Sequence, residues 1–153
     1  MSTAEKLSPK PNALQLEEVL NDLVLAFNLR RLSILKRYRV NEMEVDIIHF
    51  LNNNDMKKMK EVGEHFHIKL STLTSTIDKL EKNKLVKRKN SKEDRRVIYI
   101  RPTNKGEKLL ADLDASMRKV SEHVTDSLSS SDFDALTNGL EAIKDFVNSQ
   151  DGN

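Results

Sequence analysis

The stretch from Lys69 to Arg101, KLSTLTSTIDKLEKNKLVKRKNSKEDRRVIYIR, constrains this chain more than any other. Leu70, Leu73, Ile77 and Leu80 recur at spacings of 3, 4 and 3, which places them on one face of a helix. Ser71, Thr72, Ser75 and Lys79 are left on the opposite, solvent-facing side. Short hydroxyls and an amine on an exposed helix suit hydrogen bonds to phosphates and base edges. Leu85-Val86 and Val97 to Ile100 then flank a charged loop, Asn90 to Arg96, as two short strands would. A helix followed by a basic hairpin is the pattern of a nucleic-acid reader.

Charge supports that pattern. Residues 57–108 carry 16 Lys and Arg against 7 Asp and Glu, whereas the rest of the chain carries 10 against 17. A basic middle between acidic ends concentrates positive potential where a polyanion would bind. A solvated lysine-rich face has the same composition, so the argument rests on the coincidence with the helix–hairpin pattern. With four glycines, three prolines and few aromatics, the 153 residues favour one mostly helical domain. The absence of cysteine excludes disulfides, thiolate metal sites and thiol redox sensing. No apolar run approaches the roughly 18 residues of a membrane span, and a cytoplasmic location is the default expectation.

The remaining elements follow in order. Residues 1–12, with Pro9 and Pro11, read as a loose tail. Ala13 to Tyr38 carries a helical stripe from Leu16 to Leu35 that is broader than a lone surface helix needs. Asn41 and Glu44 form a capping box for a second helix buried through Val45, Ile47, Ile48, Phe50 and Leu51. A short helix from about Met56 to Phe66 and a tight connection at His67 to Lys69 complete the spacing of a helix-turn-helix. Strands are expected over about Leu85–Lys89 and Val97–Arg101. Thr103 then caps a helix running to about Leu128, and Ser129 with Asp132 caps the last. At about 1.5 Å per residue the fifth helix is on the order of 37 Å long, more than one small core requires. The broad apolar faces at the two chain ends therefore predict a homodimer.

Enzyme and metal chemistry have little footing. There is no glycine-rich phosphate loop, GxSxG, HExxH or cysteine nucleophile, and no cofactor is expected. His65 and His67 lie two apart and so do not face each other on a helix; they read as ordinary histidines. Arg30-Arg31 and Lys36-Arg37 read first as solvated cations at a helix end, with phosphate contact as the rival reading.

The order of elements, and above all the run STLTSTIDKLEKNKLVKRKNSKEDRRVIYIRPTNKGEKLL with its D-K-L-E-x-x-x-L-V-x-R, D-R-R and T-x-x-G motifs, resembles the MarR (multiple antibiotic resistance regulator) family of winged-helix transcription factors. The resemblance covers about residues 13–148. It implies a mainly α fold with a small β-hairpin wing: a winged helix-turn-helix over about 41–102, dimerisation helices at about 13–38 and 103–148, and a tail from 149. It also implies a homodimer on double-stranded DNA, with a recognition helix in the major groove and a wing at the minor groove. Lys69, Ser71, Thr72, Thr74, Ser75 and Lys79 then belong to the recognition helix and its start. In the wing, Arg96 reaches the minor groove, Asp94 orients basic side chains, and Arg88, Lys89, Lys92 and Arg95 contact phosphates.

The mechanism expected is repression, or less often activation, on a pseudo-palindromic operator, and the resemblance implies release by a small aromatic or phenolic effector held between the dimerisation helices and the winged domain. Two positions depart from the pattern. Lys69 stands where a small capping residue is usual, and lysine cannot accept a bond from the helix N–H groups. That leaves Ser71 or a bound phosphate to do so. Ser75 stands where arginine is frequent. The rival reading is a winged helix used for protein contact, or for structural DNA binding without ligand response.

Overall fold

The structure, a computed structural model, describes residues 12–54, 56–91, 94 and 97–150. Helix α1 (Ala13–Tyr38) leads into α2 (Glu42–Asn52), a two-residue strand β1 (Lys57–Lys58), α3 (Met59–His65) and α4 (Leu70–Lys82). Strands β2 (Val86–Asn90) and β3 (Ile98–Pro102) follow, then α5 (Asn104–Ser127) and α6 (Ser130–Gln150). The expected mainly α fold with a small β wing is present. Of the tail expected over residues 1–12, only Asn12 is described; its Oδ1 accepts a bond from the Leu14 N–H and caps α1. The C-terminal tail expected from residue 149 gives way to helix as far as Gln150.

Local chemistry explains most boundaries. Asn41 and Glu44 exchange side-chain-to-backbone bonds at 2.9 Å in both directions, a complete capping box. Arg39 ends α1 in the left-handed region (φ 58°), its N–H satisfying the carbonyls of Leu35 and Lys36. The Thr103 hydroxyl accepts from the Gly106 N–H and opens α5. Gly106 explains the T-x-x-G motif: a Cβ there would lie 2.3 Å from the Leu85 carbonyl oxygen, so only glycine lets α5 seat on the turn before the wing.

Two expectations are corrected. The wing is a three-stranded antiparallel sheet in the order β1-β3-β2, with Lys57 opposite Ile100 and Lys87 opposite Arg101. Residues 57–58, expected to be helical, pair with β3 instead, and α3 starts only at Met59. A two-residue strand has no periodicity to detect; its partner defines it. Leu70, assigned to the inner face of α4, is 60% exposed, because at the first helical position it lies beyond the core that Leu73, Ile77 and Leu80 enter.

That core joins Ile47, Ile48 and Leu51 of α2, Val62 of α3, Leu73, Ile77 and Leu80 of α4, Leu85, Val86 and Ile100 of the wing, and Leu109 of α5. It fixes the recognition helix against α3 and the wing. The chain ends contribute little: Leu35 and Tyr38 are the buried residues of α1, and α6 buries none. No helix among the described residues is long and apolar enough to cross a membrane.

Candidate nucleic-acid interface

Helices α3 and α4 are joined by residues 66–69, and the turn needs His67 in the left-handed region (φ 53°). Burial of Leu73, Ile77 and Leu80 rotates Ser71, Thr72, Thr74 and Ser75 outward, and all four are exposed. The Thr74, Ser75 and Thr76 hydroxyls donate to the carbonyls four residues back, at 2.8, 3.2 and 3.0 Å. Their oxygens keep lone pairs to accept from a ligand. Lys69 occupies the N-cap position without a side-chain cap, and the Ser71 hydroxyl caps nothing in its place. Among the described residues, the N-cap position therefore offers the first N–H groups of α4 no side-chain acceptor, and Lys69 stands beside them.

The basic residues divide. Lys79, exposed on α4, bonds both carboxylate oxygens of Glu44 at 2.7 and 2.9 Å. Glu44 is the buried charged residue of the described chain, 3% exposed. Arg88 lies on the same face of β2 as buried Val86, turned toward α4. Its guanidinium meets Asp78 Oδ1 and Glu81 Oε2, each at 2.6 Å, and its N–H meets Glu81 Oε1 at 3.2 Å. Burial opposes the charge on Arg88, but the bonds to Asp78 and Glu81 outweigh it and raise its pKa. Lys89 falls on the other face of the strand, opposite Tyr99, and is exposed.

At the wing tip the Asp94 N–H meets the Ser91 hydroxyl at 3.3 Å. Lys92, Arg95 and Arg96 lie outside the described residues. Sequence reasoning missed Glu44, Asp78 and Glu81 as partners of the cations. Asp78 and Glu81 stood in the D-K-L-E motif, yet nothing local showed which cation they hold.

Two grooves border this region. One of about 740 Å³ runs between α4 and the wing, with Met59, Leu70, Val97, Ile98 and the Asp78–Arg88 pair in its lining. Another of about 390 Å³ lies between α1 and α5, lined by Arg30, Arg37, Lys119 and Asp112 among others. There Asp112 Oδ2 accepts from Arg37 at 2.8 Å and from the Tyr38 hydroxyl at 2.6 Å. Burial, then that bond, raises the Tyr38 pKa. The histidines do not gather ligands: His65 stacks on Phe50 at 4.0 Å, and no group of three or more His, Asp or Glu among the described residues could hold a metal.

A recognition helix set behind a shorter helix, an exposed hydroxyl face and an adjoining three-stranded basic wing together define a winged helix-turn-helix protein. The model of the MarR family matches residues 40–98, the segment containing α2 to the start of β3. Over that segment the chain is similar to the MarR family, a family of winged helix-turn-helix transcriptional regulators.

Among curated proteins it is similar to the HTH-type transcriptional regulator BilQ of Clostridioides difficile (strain CD3), 25% identical over 130 residues, covering 85% of this chain and 88% of that protein. It is also similar to the uncharacterized HTH-type transcriptional regulator YfiV of Bacillus subtilis (strain 168), 33% identical over 70 residues, which span 46% of this chain and 44% of that one. Among solved structures, the chain of an S. aureus MepR–DNA complex matches with a TM-score of 0.75 at 14% identity, covering 86% of this chain and 98% of that one. At that identity the likeness is one of fold.

Proposed function

We propose that this protein is a sequence-specific regulator of transcription, a repressor that acts in the cytoplasm as a homodimer on a pseudo-palindromic operator. The observation that carries the reading is the exposed face of Ser71, Thr72, Thr74 and Ser75 on a helix held rigidly by the core beneath it. Hydroxyl donors and acceptors at this spacing suit base edges in the major groove. The open helix start with Lys69 suits a phosphate. The wing beside it supplies Lys89, and by family position Lys92, Arg95 and Arg96, for phosphates and the minor groove. The structurally similar MepR chain is itself bound to DNA.

Dimerisation rests on the chain ends. Leu16, Val19, Leu23, Val24 and Leu29 of α1 and Leu140, Phe146 and Val147 of α6 are each more than 40% exposed, a larger apolar surface than a monomer keeps in water. A second copy covers it and sets the two recognition helices about one helical turn of DNA apart, roughly 34–36 Å. The α1–α5 groove, with Arg30, Arg37 and Lys119 around it, suits a small aromatic or phenolic anion that releases the protein from DNA.

Selection of bound duplexes from a random pool tests the whole reading. Recovery of an inverted repeat supports it. Binding without sequence enrichment would leave a structural DNA-binding module, and no binding would leave a winged helix for protein contact.

A further inference from the structure

Two of the cations that the sequence assigns to DNA are engaged inside the protein, and their partners lie on different elements from their own. Lys79 reaches from α4 to a carboxylate on the first turn of α2, and Glu44 is only 4% exposed at the side chain while Lys79 is 49% exposed. The same carboxylate accepts the Asn41 N–H of the capping box. Near the end of α4, the Asn83 side chain donates to the Arg39 carbonyl, a second tie to the α1–α2 junction. Arg88 reaches from β2 to Asp78 and Glu81 on α4, and its side chain is 23% exposed. An ammonium shared by two carboxylate oxygens and a guanidinium held between two carboxylates have little charge left to replace counterions on a phosphate.

We propose that Lys79 and Arg88 are positioning residues, struts that fix the recognition helix against α2 and against the wing, and that neither is a phosphate contact. The proposal rests on the DNA-binding reading above and deepens it. Lys79 sets how α4 stands on the junction that leads from the dimerisation helix, and Arg88 sets the angle between α4 and the wing. Sequence choice depends on both angles, because base contacts tolerate little misplacement, whereas non-specific attraction to the backbone does not depend on them.

The salt dependence of duplex binding tests this, since each phosphate contact contributes about 0.9 to the slope of log K against log salt. On a random-sequence duplex, Lys79→Gln and Arg88→Gln leave the slope as in the wild type. On a duplex selected from a random pool, both lose affinity by about tenfold or more, so the ratio of specific to non-specific binding falls. Glu44→Gln keeps an acceptor for the Asn41 N–H but removes the charge that holds Lys79; the freed ammonium steepens the slope by up to about 0.9. A slope flattened by about 0.9 in Lys79→Gln, equal losses on the two duplexes, or an unchanged slope in Glu44→Gln would overturn the proposal. An unfolding cycle of Glu44→Gln, Lys79→Met and the double variant reads the strut without DNA. If the wild type bound neither duplex, the regulatory reading would fall, and additive losses in the cycle would overturn the strut as well.

Discussion

Replacing Gly106 with alanine probes the joint between the wing and α5. The added Cβ would lie 2.3 Å from the Leu85 carbonyl oxygen, 3.3 Å from its carbon and 3.4 Å from the Pro102 Cβ. Leu85 is 0% exposed, and its carbonyl accepts the Thr103 N–H at 3.0 Å, so the clash falls on backbone that is already bonded. Restoring ordinary contact requires a shift of about 1 Å, and overpacking of this kind costs about 1–3 kcal/mol. Breaking the Leu85–Thr103 bond adds about 1–3 kcal/mol if its groups go unsatisfied. Alanine returns at most about 1 kcal/mol of helix propensity.

The net expectation is a loss of roughly 2–4 kcal/mol, a fall of roughly 4–16 °C in Tm for a chain of this size. Urea unfolding followed by far-UV circular dichroism, at one protein concentration throughout, measures it. Gly139, where an added methyl group would meet nothing within 4 Å, is the control; Gly139→Ala gains about 0.5–1 kcal/mol. A Gly106→Ala variant within about 0.5 kcal/mol of wild type, the range of neutral surface changes, would refute the seating of α5 on the Leu85 carbonyl.

Other perturbations test separate parts. The Arg31 guanidinium, bonded to both Glu42 oxygens, holds the Glu42 carboxyl below the usual glutamate range. Its stabilisation is therefore present above about pH 4.3 and is lost as pH falls through the depressed folded value. Because the pair is 42% and 55% exposed, the term is below about 1 kcal/mol, and wild-type and Glu42→Gln stability curves should converge below about pH 4. Curves that stay parallel down to pH 3 (roughly one unit below the free carboxyl) would rule the ion pair out.

Lys84 holds a left-handed backbone (φ 62°) after α4, so Lys84→Gly should stabilise the fold by about 0.5–1 kcal/mol in the same urea assay; a loss would contradict that conformation. Val19→Glu with Leu23→Glu places charges on the exposed face of α1 and should shift the sedimenting species to monomer; an unchanged dimer would put the interface elsewhere.

What could be read from the chain alone was whatever is decided within a few residues. The limits Ala13 and Tyr38, the Asn41–Glu44 box and the Thr103 cap are local backbone chemistry, and all are found where the residues place them. The outward rotation of Ser71, Thr72 and Ser75 follows from helical period alone. Tertiary structure decided the rest. Strand β1 exists only through β3, and Leu70 is exposed only because the core ends at Leu73. The fate of the cations is the clearest case. Lys79 and Lys89 are both exposed lysines in one basic stretch, yet Glu44, 35 positions away, takes the first, and strand alternation turns Arg88 inward while leaving Lys89 outside. Charge counts along a sequence do not register such pairings, because an ion pair depends on distance in space, and here the tertiary fold sets that distance between Glu44 of α2 and Lys79 of α4.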